Sequence, residues 1–128
     1  MIKPEQIAKS GSEAAHQKAL FCWAALPGIR LRFPELEFMF AVPNGGTRNK
    51  IEAANLKAQG VKSGVPDIML PVPRGMMSGL WIEMKVGKNK PSEAQLKYQE
   101  YLRRAGYVSE VCYSWIEATV VILNYLRL

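Results

Sequence analysis

Histidine is almost absent. The chain has one, His16, and only two cysteines, Cys22 and Cys112. The cysteines are far apart, lie in apolar contexts and show no CxxC spacing, and a single histidine argues against a zinc site. Two isolated thiols read as buried, reduced groups of a cytosolic protein. No apolar run reaches the ~20 residues a membrane helix needs. No basic-then-apolar leader pattern opens the chain, which points to a soluble cytoplasmic protein. Repeats, low-complexity tracts and linkers are also missing.

What remains suits one domain over its 128 residues, 48% of them hydrophobic, enough to bury a core. Acidic residues are the minority charge. Lys and Arg total 17 against 11 Asp and Glu, a net charge of +6. An excess of this sign suits a polyanionic partner, nucleic acid above all. The competing reading is an ordinary basic surface.

Residues 1–9 are polar and read as loose. Ser10-Gly11-Ser12-Glu13 has capping-box spacing and opens the helix "EAAHQKALFCWAAL", which Pro27-Gly28 ends. Glu13, His16, Gln17, Leu20 and Ala24 share one side of it. "ELEFMFAV" alternates and predicts a strand over 35–42. Pro43-Asn44-Gly45-Gly46 reads as a turn, and "RNKIEAANLKAQ" as an amphipathic helix capped by Gly60. "PDIML" and "LWIEMKV" are two strands around a Pro/Gly-rich loop, 71–79. Ser92 opens a helix closed by Gly106, "YVSEVCY" is a strand, and Ser114-Trp115-Ile116-Glu117 opens a last helix. The order predicts one mixed α/β domain with helices packed on a small sheet.

One hairpin carries misplaced charge. Glu83 and Lys85 are two apart on a strand and so share a face, while Met84 points to the other. Asp67 begins the neighbouring strand. Paired strands would bring Asp67 and Glu83 close together, and two close carboxylates repel unless a proton or a metal lies between them. Oxygen ligands of this kind select hard cations such as Mg²⁺ or Mn²⁺. Lys85 could then stabilise charge developing on a phosphate. The competing reading is a cross-strand salt bridge on a solvated face. Apolar neighbours on both faces, and Pro66 directly before Asp67, favour the site.

Pro66-Asp67 with Glu83-Met84-Lys85 resembles the PD-(D/E)xK nuclease superfamily. Glu13, Pro43-Asn44-Gly45-Gly46, Gly64-Val65-Pro66-Asp67, Glu83-Met84-Lys85 and Ser92-x-x-Gln95-x-x-Tyr98 together resemble the VRR-NUC (virus-type replication-repair nuclease) family. These motifs run through almost the whole chain, and the resemblance is to the minimal stand-alone form of phages and bacteria. It implies a restriction-endonuclease-like α/β core, a small mixed β-sheet flanked by α-helices, as a single domain. It implies a metal site of Glu13, Asp67, Glu83 and the Met84 backbone carbonyl, with Lys85, Asp67, Glu83 and Gln95 catalytic. The implied reaction is Mg²⁺- or Mn²⁺-dependent hydrolysis of DNA phosphodiesters, with no organic cofactor. The implied substrate is branched DNA such as four-way junctions, cut by a homodimer. A non-catalytic DNA-binding module and a flap or nicking nuclease are the alternatives.

Each residue has a plainer role beside this one. Glu13 could only cap its helix, and Gln95 could only pair with Ser92. Asn44 and Gly45 could form a simple turn, or let the chain pass close to metal or phosphate. His16 and Gln17 lie where they could support the site, although a structural histidine is the more ordinary reading. Arg48, Lys62, Lys88, Lys90 and Lys97 are candidate phosphate contacts or solvated surface charges. Arg74, in loop 71–79, either wedges against substrate or packs on a partner. The apolar last helix is compatible with a dimer and equally with a core.

Overall fold

The computed structural model describes residues 1–43 and 49–128. Helices α1 (Pro4–Ile7), α2 (Glu13–Ala24) and α3 (Pro27–Arg32) lead into strand β1 (Phe40–Ala41). Helix α4 (Lys50–Ala58), strands β2 (Ile68–Leu70) and β3 (Leu80–Met84), helix α5 (Glu93–Arg104), strand β4 (Val108–Cys112) and helix α6 (Trp115–Leu126) complete the chain. The four strands form one mixed sheet in the order β1-β2-β3-β4. The first two pairings are antiparallel and β3–β4 is parallel, the crossover being made by α5.

Alternation along β3 sorts its side chains. Leu80, Ile82 and Met84 enter the main core with Leu20 and Ala24 of α2 and Ile122 and Tyr125 of α6. Trp81 and Glu83 lie on the opposite face, which α5 covers. No helix among the described residues is long and apolar enough to cross a membrane.

Several expectations change. Residues 1–9 are not loose: Pro4 is buried in α1, a 3-10 turn follows at Ala8–Ser10, and α1 packs on α2. The strand expected over 35–42 shrinks to Phe40–Ala41, behind a 3-10 turn at Pro34–Phe38. The buried residues there are Leu36 and Met39, three apart, which suits a helical turn and not a strand. The alternating Phe38 and Phe40 face outward, at 65% and 46% exposure. Pro27, expected only to stop a helix, occupies the first turn of α3, where its missing N–H costs nothing. Helix α4 buries no residue, so its amphipathic pattern finds no core.

Loop 71–79 is tied to its own chain. Arg74 Nη2 pairs with Glu35 Oε2 at 2.8 Å, its Nε donates to the Leu126 carbonyl at 3.3 Å, and Nη1 donates to the Pro73 carbonyl at 2.9 Å. The Tyr125 hydroxyl donates to the Val72 carbonyl at 2.6 Å. Helix α6 turns its apolar face, including Ala118, Ile122 and Leu126, into this core.

Candidate active site

The site forms where the β2–β3 ladder ends. Ile68 pairs with Ile82, and continuing that register sets Asp67 opposite Glu83 and Pro66 opposite Met84. Proline has no N–H, so it can offer nothing to the Met84 carbonyl. The Met84 N–H is satisfied instead by Asp67 Oδ2 at 2.7 Å. Proline thus ends the ladder and leaves the Met84 carbonyl without a backbone donor, while the aspartate that follows accepts from the Met84 N–H through its side chain. Gly64 lets the chain just before Pro66 pack against the first turn of α5. Its φ is +90°, and a Cβ there would sit 2.5 Å from the Ala94 carbonyl oxygen in the first turn of α5.

Glu83 is 2% exposed. One oxygen, Oε2, accepts from Gln95 Nε2 at 3.1 Å and lies 3.8 Å from Lys85 Nζ. The other, Oε1, is buried and accepts no hydrogen bond from any described residue, and when protonated it can donate to Asp67. Burial pushes the Glu83 carboxyl up to about 8, and contact with the Asp67 carboxyl and that group's charge add to the shift. Lys85 opposes it and Glu13 adds slightly. The Lys85 side chain is 13% exposed, and its N–H continues the parallel ladder by donating to the Cys112 carbonyl at 2.9 Å. Glu83 and Lys85 therefore share a face.

Gln95 holds two posts at once. Its Oε1 accepts from the Ser92 N–H at 2.8 Å, completing a capping box, while its Nε2 reaches Glu83. Helix start and carboxylate orientation are thereby one feature. Glu13 departs from expectation. The N-cap of α2 is Ser12, whose Oγ accepts from the Ala15 N–H at 3.0 Å, and Glu13 is the first helical residue. The Ser10–Glu13 box does not form because Gly11 adopts a left-handed φ of 77° and restarts the chain one residue before the cap. Released from capping, Glu13 accepts from Asn89 Nδ2 at 3.2 Å through Oε2. Asn89 follows β3 and carried no signal in the sequence.

His16 is committed elsewhere. Its Nδ1 accepts from the Trp115 N–H at 3.0 Å, satisfying a free donor at the start of α6. Gln17 faces the cleft beside the acids. That cleft holds about 680 Å³ between α2 and the end of β1, and its lining includes Glu13, Gln17, Asp67 and Met84. Lys18 and Phe21 also line it. Phe21 follows Gln17 by four residues, so the stripe was there to be read. Lys62, Lys88, Lys90 and Lys97 are all exposed. Arg103 is bound to the Ser109 carbonyl at the open edge of β4, by Nη2 at 2.6 Å and Nε at 3.1 Å. Asn44, Gly45 and Arg48 lie outside the described residues.

The VRR-NUC domain model matches residues 10–115, most of the chain. The chain belongs to the VRR-NUC family. A solved structure described as a VRR-NUC domain protein superposes with a TM-score of 0.74 at 29% identity, covering 91% of this chain and 88% of that one. No curated protein matches the chain. Membership makes this a nuclease-type domain, and its four-stranded mixed sheet with flanking helices is the architecture expected.

The VRR-NUC site can be tested for a cation by its donors. Among the described residues no three His, Cys, Asp or Glu side chains form a closed cation cluster, since Glu13 is drawn to Asn89. Yet two carboxyls face each other, one oxygen of Glu83 lacks a partner, and the Met84 carbonyl faces a proline. A set of hard oxygens short of positive charge fits a divalent cation. Asp67, Glu83, the Met84 carbonyl and Glu13 are the groups that could hold it.

Proposed function

We propose that this VRR-NUC domain is a Mg²⁺- or Mn²⁺-dependent endonuclease that cuts branched DNA, such as four-way junctions, as a cytoplasmic homodimer. The observation that carries the reading is Glu83: a carboxyl 2% exposed, opposite Asp67, with Oε1 unpartnered and Lys85 beside Oε2. Such a group is costly to keep unless the site binds positive charge.

Asp67, Glu83, Glu13 and the Met84 carbonyl would hold a divalent ion, which would supply Lewis acidity for phosphodiester hydrolysis. The chain's own groups do the rest. Asp67 locks the Met84 peptide, and Gln95 sets the Glu83 rotamer by donating to Oε2. The Lys85 ammonium stabilises negative charge at the phosphate and the attacking oxygen. The net charge of +6 draws in the polyanion, and exposed Lys62, Lys88, Lys90 and Lys97 offer phosphate contacts that carry no sequence choice. A four-way junction is two-fold symmetric, and a dimer with two sites matches it.

The test incubates labelled linear, flap and four-way-junction DNA with Mg²⁺, Mn²⁺ or EDTA. Metal-dependent cutting of the junction, lost in Asp67→Ala and Lys85→Ala, is the expected result. Binding without cutting in every metal makes the domain a DNA-binding module. Cutting confined to the flap makes it a flap nuclease. Light scattering that shows a monomer at micromolar concentration removes the dimer.

A further inference from the structure

The cleft beside the acid pair is larger than one phosphate needs, and the described residues of its walls are not those a DNA backbone calls for. At about 680 Å³ it falls among pockets that enclose a small ligand, about 300–1,000 Å³. A backbone is a hydrated polyanion and calls for basic walls. The described walls are mostly apolar: Phe21 on α2 and Val42 and Pro43 beyond β1 line them. Polar groups enter sparingly. Gln17 brings an amide that can both donate and accept, and exposed Lys18 brings one positive charge. The acids, Glu13 and Asp67, close the inner end. Among the described residues, a largely apolar cleft with one amide and one ammonium, opening from a phosphodiester site, matches one nucleotide: a base against the aromatic wall, its edge toward the amide, its phosphate toward the lysine.

We propose that this cleft is a subsite for a single unpaired nucleotide next to the scissile phosphate, read by Phe21, Gln17 and Lys18. The inference rests on the nuclease reading and adds the reason for structure selectivity. A base inside a duplex must unpair and unstack before it can enter, whereas one in a splayed arm is already unpaired, and a pair bordering the open crossing of a four-way junction is stacked on one side only. Selection for branched DNA then needs no contact with the branch as a shape. It follows from a slot that accepts only a base without a pairing partner, which on entering leaves its stacked neighbours in the single strand.

The test titrates splayed-arm DNA with the full chain, with Ca²⁺ in place of Mg²⁺. Anisotropy of a fluorescein label reads binding. 2-Aminopurine, placed in turn at the unpaired positions flanking the branch, brightens when a base leaves its stack. A several-fold rise at one position is expected on saturation. An abasic spacer at that position should weaken binding by about tenfold. Lys18→Ala and Gln17→Ala, both at accessible positions, should still bind but lose most of the rise. Saturated binding with no brightening at any position, or equal affinity for the abasic strand, overturns the subsite while leaving the nuclease reading intact. Absence of binding in anisotropy overturns both.

Discussion

Replacing Glu83 with glutamine in metal-free protein should raise stability, and the gain should grow with pH. Glu83 sits at about 8 in the folded chain against an ordinary 4.5. At pH 7 the unfolded chain carries an ionised glutamate, while the folded chain keeps it mostly protonated. The folded state therefore binds more protons, and stability is full below pH 4.5 and falls as pH rises toward 8. The slope in that window is about 1.4 kcal/mol per pH unit, so about 3 kcal/mol is missing at pH 7 and about 5 kcal/mol above the folded value. The substituted amide keeps an oxygen for Gln95 and a neutral donor for Asp67 without any cost of ionisation. For a domain of this size about 3 kcal/mol is worth about 10 °C in Tm. The measurement is thermal unfolding of both proteins in EDTA from pH 4 to 9. The curves should meet near pH 4 and diverge above it, with Glu83→Gln the more stable. Mg²⁺ should then narrow the gap, because only the wild type has the carboxylate to bind it. Parallel curves, or a variant less stable at pH 8, would refute the claim that burial opposes this charge.

Other outcomes are equally specific. Asp67→Asn keeps an oxygen for the Met84 N–H and should stay within about 1 kcal/mol of wild type by urea unfolding, whereas Asp67→Ala strands that donor at a cost of about 1–3 kcal/mol. Both should abolish cleavage, so stability and activity separate in the first variant only. Gly64→Ala puts a Cβ 2.5 Å from the Ala94 carbonyl at a positive φ and should cost more than about 2 kcal/mol, read as a lower urea midpoint. Cys112 is buried and its thiol pushed up to about 12, so a thiol reagent should label Cys22 in the folded protein and reach Cys112 only on unfolding.

Much of the site was readable because it depends on short-range rules. Period two along 80–85 placed Glu83 and Lys85 together, and the Ser92–Gln95 spacing announced the capping box. Both are properties of a few consecutive residues. Glu13 was not resolved in this way. Two serines upstream could each cap the helix, and only the left-handed turn at Gly11 selects Ser12 and frees the acid. Nor could sequence place Asn89 beside Glu13, or His16 beside Trp115, since each contact joins segments 76 and 99 residues apart.

By itself the sequence determined the element order from β1 onward, the caps of α5 and α6, and the pairing of acid, acid and lysine on one hairpin. Backbone periodicity and local hydrogen-bonding chemistry suffice for those. Only the tertiary structure decided that 34–38 turns instead of extending, because Leu36 and Met39 must reach a core that lies on one side. It also decided that Arg74 is taken by Glu35 and the carbonyl of Leu126, and that α4 faces solvent. The electrostatics of Glu83 belong to the same class. A glutamate becomes a reluctant acid only when α5 closes over it and an aspartate from the next strand meets it, and burial and charge proximity exist nowhere in the linear chain.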